Sequence, residues 1–532
     1  MALLELHLAI LAATVEEAMA DDLAARFILF PAPDTALAGL ASRVGHDLAR
    51  FAAIATPDVH SCRPCIIVTL PQRLMKGDDT PFAVVYLMVD EWQLEVAEPE
   101  LYTDYFAEPD RLPGQDGRAE RPFDHCWAPV DPAIDNQPLW AVDMMRVPAA
   151  WEWSSAQGRP GKGAGIVIAQ PDTGVTAHPE LAGVKQLHAI DLIGGGTLAL
   201  DPLEQIGNPS HGTGTSSVML SRAAGIITGT APDATHMPVR AIRSVVRISQ
   251  LMVARAINHA VDNGAQVISM SLGGLPSLLL WYALRRAIDR GVIVLAAAGN
   301  CVQTVVWPAR YDDCIAVAGV NITEAPWRGS CRGTAVAVAA PAENVLKALT
   351  TSSDRVPVYS VEQGQGTSFA VAMTAGVAAL WLAHHGPNVI AAAAIDQKIS
   401  VQTLFKRLLM ATARQPATGW DELSMGAGIV DALALLQADL ALAAGQESPR
   451  QADGQRQSML NLLDEAGVGH AGLDDSTLDL FSVELARLAL EARLCCAENE
   501  EGQQESNDGP VSTRLRAAVP GAVLAQLRRV TP

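Results

Sequence analysis

Apolar residues follow two patterns between about residues 137 and 444, and together these patterns predict a fold. Short runs rich in β-branched and small apolar residues contain almost no polar position, and they alternate with longer stretches that have helical spacing. The strand-like runs cover residues 165–169, 237–242, 267–271, 292–298 and 314–320, and the helical stretches cover residues 248–263, 278–290 and 401–412. Strands that are apolar on both faces and alternate with helices predict a doubly wound, mainly parallel α/β sheet.

The stretch that begins at Gly366 predicts a helix without a polar face. Gly366, Thr367 and Ser368 precede an apolar run, 371–380, in which Thr374 is the only polar residue. Surface helices have a polar stripe, so this helix is expected to be buried, with Ser368 at its amino end. The N–H groups and positive dipole of that end favour an anionic oxygen, which suits a serine nucleophile. The alternative is that Thr367 or Ser368 only caps a core helix.

The rest of the chain is predicted to form smaller units on either side of this α/β domain. Residues 1–107 mix helix-like and strand-like patterns, which is the content of a small α+β domain. Within them, a regular element is predicted at 6–13, a helix near 34–53, and strands at 65–70, 81–89 and 92–96. Residues 108–136 are rich in Pro, Asp, Gly and Arg and are expected to form an exposed linker. The α/β domain itself is assigned to residues 137–444.

A second polar linker is predicted at residues 445–457, followed by a helical, partly disordered extension at 458–532. Four apolar residues of the extension recur at spacings of three and four behind Ser476, a predicted N-cap, which indicates an amphipathic helix. They are Leu478, Phe481, Leu485 and Leu488. This helix either binds a protein partner or packs on its own chain, and the pattern alone leaves both open.

Composition excludes several classes of function. The chain has 532 residues, 49% of them apolar, so it can bury a large core. Its formal net charge of -20 argues against nucleic acid and anionic membranes as partners. No stretch predicts a membrane span, and the opening residues lack a basic region and include Glu5, so no secretory signal is predicted. A cytoplasmic location is expected, with secretion as the alternative.

The cysteines predict neither a disulfide framework nor a metal site. Eight cysteines are few for a chain of this length, which favours a reducing compartment. Cys62 and Cys65, with His60 nearby, have no second cysteine pair at zinc-ligand spacing. Ordinary thiols are therefore predicted.

Three polar residues occupy places where α/β proteins build their sites. Asp172 follows the apolar run that begins at residue 165, Asn300 follows the run at 292–298, and His211 opens a helix of small residues. Parallel strands end at one edge of a sheet, so Asp172 and Asn300 are expected at the same edge. Each residue alone is also common in turns. Together they offer a serine hydroxyl the base, the orienting group and the oxyanion donor that it needs.

With Ser368, these blocks resemble in their order those of the subtilisin-like serine proteases, over about residues 137–444. The resemblance implies that Ser368 attacks the scissile carbonyl to form an acyl-enzyme, that His211 transfers the proton and that Asp172 orients the imidazole. It implies that the Asn300 side chain and the Ser368 backbone N–H stabilise the oxyanion. It also implies a substrate-binding strand whose glycines leave a roomy pocket. That strand consists of Ser271, Leu272, Gly273 and Gly274.

Residues 95–101 resemble the end of the family's inhibitory propeptide. The resemblance implies that residues 1–107 inhibit the enzyme until it cuts them off itself, and the alternative is a permanent accessory domain. Three positions depart from the family pattern: Gly214 stands where a second His is usual, Ala372 where Pro is usual, and Gln170 where an aliphatic residue is usual. Gly214 and Ala372 supply no catalytic atom.

The predicted chemistry requires no cofactor and no metal ion. The loop at 220–232 lacks the carboxylate and amide oxygens of a calcium site, and structural calcium elsewhere stays open. Two functions remain to be compared: a serine endopeptidase acting on proteins or peptides, and a catalytically silent subtilase-fold protein that binds peptides or partners. The intact set of triad and oxyanion residues favours the endopeptidase.

Overall fold

The computed structural model describes residues 4, 25–59, 63–70, 80–101, 137–203, 208–222, 225–245, 248–353, 356–443, 454–498 and 511–528. The element predicted at 6–13 lies outside them. The strands are β1 Ala25–Pro31, β2 Ile54–Asp58, β3 Cys65–Leu70, β4 Leu94–Pro99, β5 Val167–Asp172, β6 Ile190–Asp191, β7 Thr235–Arg240, β8 Val267–Met270, β9 Ile293–Ala297, β10 Ile315–Val320, β11 Val336–Pro341, β12 Val345–Ser353 and β13 Val356–Gly364. The helices are α1 Leu37–Asp47, α2 Thr80–Trp92, α3 Trp140–Met144, α4 Val147–Ala156, α5 His211–Leu220, α6 Gln250–Asp262, α7 Leu278–Asp289, α8 Thr367–His385, α9 Pro387–Asp396, α10 Val401–Thr412, α11 Glu422–Met425, α12 Ala432–Gln437, α13 Gly454–Glu465, α14 Asp475–Glu498, α15 Thr513–Ala518 and α16 Gly521–Arg528.

A seven-stranded parallel sheet forms the centre of the α/β domain. Its order is β11-β10-β9-β8-β5-β7-β6, and its neighbouring strands all pair in parallel. Every residue of β7 to β11 is buried, because helices cover both faces of the sheet. The doubly wound fold predicted from the apolar strands is confirmed. The order reverses at β5, which lies between β8 and β7.

Helix α8 forms the core of one face of this sheet. It contacts strands β8 to β11 and helix α5, and its residues from Thr367 to Ala383 are all buried. Among the described helices, α8 alone is long and apolar enough to span a membrane, and 94% of its apolar window is buried inside the protein. The missing polar stripe therefore reflects burial in a protein core.

The N-terminal domain, residues 25–101, is an α+β unit. Its antiparallel sheet has the order β2-β3-β1-β4. The strand predicted at 81–89 is wrong, because helix α2 occupies these residues. One side of α2 packs on β4 and another side contacts α14, so apolar residues occur on both sides of the helix. The sequence therefore lacks the apolar spacing of three and four residues that indicates a helix. The buried residues of α2 include Phe82, Val84, Val85, Tyr86 and Met88.

The sequence patterns also missed the hairpin before α8. Strands β12 and β13 pair antiparallel in continuous register from Val345 opposite Gly364 to Ser353 opposite Val356. In the C-terminal extension, the four residues of the predicted amphipathic helix lie in α14 and are buried. The cap of this helix is Asp474, whose carboxylate accepts a 2.8 Å bond from the backbone N–H of Thr477, and not Ser476.

Candidate functional site

The predicted site residues lie at neighbouring strand ends of the parallel sheet. Asp172 is the last residue of β5, Ser271 follows β8 directly, and Asn300 follows β9 by three residues. Strands β5, β8 and β9 are adjacent, and the strand order reverses between β5 and β8. In doubly wound sheets, ligands bind in the crevice at such a reversal.

Asp172 and His211 are hydrogen-bonded to each other. The distance between His211 Nδ1 and Asp172 Oδ1 is 2.8 Å, and the same oxygen accepts a 2.7 Å bond from the backbone N–H of Thr173. The Asp172 side chain is 2% exposed and that of His211 is 11% exposed. A carboxylate on Nδ1 places the ring proton there in the neutral imidazole, so Nε2 has the lone pair of a base.

The start of helix α5 is tied to the end of β5, which fixes the position of His211. The Thr173 hydroxyl donates to Asp201 at 2.8 Å and accepts from the Gly212 backbone N–H at 3.1 Å. The Ser210 N–H also donates to Asp201 at 2.8 Å, and burial raises the pKa of that carboxyl. A side chain at position 212 would begin 2.2 Å from the Gly174 carbonyl oxygen. Only glycine permits this close approach of helix and strand.

Ser368 is the second residue of α8 and is 5% exposed. The helix is preceded by Gly366, which has a φ of 148°, and no side chain caps it. Neither Thr367 nor Ser368 is therefore the cap that the alternative interpretation required. The Ser271 hydroxyl donates to the Ser368 carbonyl oxygen at 3.0 Å, which joins the strand end of β8 to the first turn of α8.

The side-chain amide of Asn300 is oriented by Thr367. Its Oδ1 accepts bonds from the Thr367 backbone N–H at 3.0 Å and from the Thr367 hydroxyl at 2.8 Å. The Asn300 Nδ2 therefore points away from these two Thr367 donors. A Cβ placed on Gly366 would lie 3.8 Å from this Nδ2 and 3.8 Å from the Ser368 Cβ, so the two atoms are at most twice that distance apart. The amide and the serine side chain are thus near each other at the amino end of α8.

The segment from Ser271 to Gly274 is held near the first turn of α8 by hydrogen bonds. Gly274 exchanges two bonds with Trp307, at 2.8 and 3.2 Å. A Cβ on Gly273 would lie 2.3 Å from the Val306 side chain. Close packing on Val306 is what requires glycine there. Leu272 is buried.

Sequence reasoning missed a buried polar network behind Asp172. The Gln170 amide nitrogen lies 3.3 Å from Asp172 Oδ2 and donates to the Thr215 hydroxyl at 2.6 Å. The Gln170 carbonyl oxygen accepts from the Ser216 hydroxyl at 2.7 Å and pairs with His236 Nε2 at 2.8 Å. Burial lowers the pKa of His236 to about 3, so the ring is neutral and donates. A glutamine in an apolar strand was the only signal of this network.

Replacing Gln170 with valine is expected to destabilise the protein by about 1–3 kcal/mol, because Ser216 and His236 then lose a buried partner. The free energy of unfolding, measured by chemical denaturation, tests this. The matched double variant Gln170→Val with His236→Phe removes both partners and is expected to recover part of the loss. Equal stability of wild type and Gln170→Val would contradict the prediction.

Among the residues that the structure describes, no three His, Cys, Asp or Glu side chains form a group that could hold a metal ion. Of the predicted Cys62 and Cys65 motif, only Cys65 is described, and it is buried in β3. The pair Asp172–His211 and the pair Asn300–Thr367 are the polar contacts that define the candidate site.

Comparison with known proteins finds a family match for the α/β domain. The chain matches the model of the subtilase family over residues 163–440. Thermitase from Thermoactinomyces vulgaris is 33% identical over 257 residues, which cover 48% of this chain and 85% of thermitase. Mycosin-1 from Mycobacterium tuberculosis is 30% identical over 367 residues, which cover 57% of this chain and 74% of mycosin-1.

A solved structure shows the same fold. Fervidolysin from Fervidobacterium pennivorans, a keratinolytic enzyme related to subtilisin, superimposes with a TM-score of 0.54 at 20% identity, over 80% of this chain and 65% of fervidolysin. Because the family match spans more than half of the 532 residues, this chain belongs to the subtilase family.

Proposed function

We propose that this subtilase is a serine endopeptidase in which Ser368, His211 and Asp172 act as one catalytic unit. The observation that supports it most is the 2.8 Å bond from His211 Nδ1 to Asp172, which orients the ring as a base. Relatives that are proteases support the same class of reaction. The substrates are proteins or peptides.

The first step is attack by the Ser368 oxygen on the carbonyl carbon of the scissile peptide bond. His211 Nε2 takes the hydroxyl proton as the new C–O bond forms, and Asp172 stabilises the resulting imidazolium. When the C–N bond breaks, His211 gives the proton to the leaving amine. Water, activated by the same histidine, then hydrolyses the acyl-enzyme and restores Ser368.

The tetrahedral intermediate places a negative charge on the former carbonyl oxygen. Asn300 Nδ2 and the Ser368 backbone N–H are the proposed donors to it, because both lie at the amino end of α8. The positive end of the helix dipole acts in the same direction. The extended backbone of the substrate would pair with the segment from Ser271 to Gly274. Such pairing uses main-chain hydrogen bonds, so it tolerates many substrate sequences.

Labelling with a fluorophosphonate probe tests this proposal. The probe's phosphorus bonds to the nucleophilic oxygen and fluoride leaves, so peptide mass mapping of the native protein is expected to place the label on Ser368. Heat-denatured protein is the control and should remain unlabelled. A native protein that takes no label and leaves unfolded casein intact would support the alternative, a silent subtilase-fold protein that binds peptides or partners.

The N-terminal domain is proposed to be an inhibitory propeptide that the enzyme removes by cutting between residues 102 and 136. Its docking on the catalytic domain supports this role. Glu98 accepts from the Ser277 hydroxyl at 2.6 Å and the Leu278 N–H at 2.8 Å, and Glu100 accepts from the Ser249 hydroxyl at 2.6 Å. Both carboxylates thus lie at helix amino ends. Intact mass over time shows whether cleavage occurs, and the alternative is a permanent module.

Docking is expected to weaken with rising pH through Glu98. Burial raises the pKa of this carboxyl to about 7 from 4.5, so the docked form binds a proton that the free form releases. As the pH rises from 4.5 to about 7, the free energy of unfolding of wild type should fall by on the order of 3 kcal/mol relative to that of Glu98→Gln. Above pH 7 the difference between the two proteins should stay constant. The titratable neighbours Glu100 and Tyr311 are the same in both proteins.

Denaturation midpoints at a series of pH values measure this difference. Parallel pH profiles for wild type and Glu98→Gln would show that Glu98 does not titrate on docking.

Secretion is proposed in preference to the cytoplasm. Cys301, next to Asn300, is disulfide-bonded, and disulfides are typical of oxidising compartments.

A further inference from the structure

Helix α13 of the C-terminal extension is anchored to the catalytic domain by a buried ion pair. Arg310, whose side chain is fully buried, donates to Glu465 Oε2 at 2.7 Å. The other oxygen of Glu465 accepts from the Thr334 backbone N–H and hydroxyl, both at 3.1 Å. Burial opposes ionisation, yet the charge of Arg310 and these bonds hold the pKa of Glu465 below its usual value. The Trp307 indole also donates to Ser458 of α13 at 3.2 Å.

Helix α14 and the segment after it bind helix α2 of the N-terminal domain, and α14 also contacts strand β4. The buried Glu484 carboxylate accepts from the Tyr86 hydroxyl at 2.8 Å, and from the Ser512 N–H at 2.7 Å. Arg514 of α15 donates to the Tyr86 carbonyl oxygen at 2.8 Å and pairs with Asp90. Helices α14 and α15 therefore meet at one turn of α2, from which they are far apart in sequence.

Apolar contacts extend the same interface. The rings of Tyr86 and Phe481 meet edge to face with 4.8 Å between centroids. The Arg487 guanidinium lies over the Phe82 ring at 5.5 Å. Phe82, Tyr86 and Phe481 are each 2% exposed or less, as expected for residues inside a shared core.

Helices α13 and α14 form a rigid connection between the two anchors. Arg456 of α13 donates two 2.7 Å bonds to the two carboxylate oxygens of Asp479 in α14. Gln455 donates to Ser482 at 3.1 Å within the same helix pair. A paired guanidinium and carboxylate in this geometry restrict the angle between the helices.

We propose that the C-terminal extension, through its described residues 454–498 and 511–528, is a clamp that keeps the N-terminal domain on the catalytic domain after the chain between them has been cut. A released inhibitory domain would need its second interface free, but here α2 is covered by α14 and α15. The clamp is continuous with the catalytic domain through Glu465, so cleavage between residues 102 and 136 leaves the N-terminal domain held on two sides. The proposal rests on the proposed function only in that the protease itself would make the cut.

A full-length chain with Ser368→Ala tests the clamp without any contribution from its own activity. Part of the segment 108–117 is replaced by the recognition sequence of a sequence-specific cysteine protease. After cutting, size-exclusion chromatography over time measures how fast residues upstream of the cut leave the remainder. The fragment is expected to stay bound with the native clamp, and to dissociate about 10-fold faster or more when Phe481→Ala is combined with Arg514→Ala.

Two further variants make the result specific. Arg516→Ala is the matched control, because Arg516 lies on the same helix as Arg514 but donates within the extension, to the Val511 carbonyl. Arg514→Ala alone, at a partly exposed position, serves if the double variant unfolds, which melting of the uncut proteins reveals. Rapid loss of the fragment from the native clamp would overturn the proposal, and so would equal retention by all variants. Neither outcome bears on whether Ser368 is a nucleophile.

Discussion

Replacing Ser368 with alanine is expected to lower kcat for peptide hydrolysis by about four to six orders of magnitude. The hydroxyl oxygen is the atom that forms the acyl bond, and no neighbouring group replaces it. The fold is expected to survive, since the bond from Ser271 goes to the Ser368 backbone carbonyl oxygen, which alanine keeps, and alanine favours a helix. Casein turnover measures the loss of activity, and fluorophosphonate labelling measures the loss of the nucleophile independently.

Ser154→Ala is a matched control for the loss of a buried hydroxyl. Ser154 contacts His384 Nδ1 at 2.8 Å, near the carboxyl end of α8, and lies far from the strand ends of the site. This variant should keep nearly full turnover. If Ser368→Ala retained more than about 1% of turnover after repurification, the assignment of Ser368 as nucleophile would be wrong.

Replacing Asn300 with alanine is expected to lower kcat by about 100- to 1,000-fold while KM changes little, a range established for the corresponding donor in a subtilisin. An oxyanion donor acts on the charge that develops in the transition state, so its removal affects turnover more than substrate binding. Initial rates with a peptide substrate, over concentrations that bracket KM, separate the two constants.

Asn300 also holds the amino end of α8, and a second variant separates this role. Thr367→Val removes the 2.8 Å bond from the Thr367 hydroxyl to Asn300 Oδ1 but keeps the amide donor and the 3.0 Å backbone bond. It is expected to lower kcat by about 10-fold or less. If Thr367→Val were as damaging as Asn300→Ala, the amide would act by positioning the helix and not by binding the oxyanion.

The α/β domain was predictable because its strands are buried on both faces. Apolar runs placed β8, β9 and β10 within one residue of their observed bounds, and α10 was predicted at its observed residues 401–412. The same criterion failed at α2, where burial on both sides made a helix look like a strand. A uniform apolar run records burial, and it contains no period from which helix and strand can be told apart.

For the candidate site, the sequence predicted the main residues and their order along the chain, but not the contacts around them. Asp172, His211, Asn300 and Ser368 could be named from sequence. The partners of Gln170 could not, because His236 is 66 residues away and comes near only through the parallel pairing of β5 with β7. The interface of α14 with α2 was hidden for the same reason, since an apolar stripe does not identify the surface that it covers.

The bond between Tyr86 and Glu484 joins residues 398 positions apart, which affects how the protein folds during synthesis. Helix α2 leaves the ribosome long before α14, so its second apolar side cannot be covered until α14 has been made. During that interval the incomplete chain exposes apolar surface of the kind that chaperones bind and quality-control proteases attack. A truncation that removes α14 would therefore leave this side of α2 uncovered and damage the N-terminal domain.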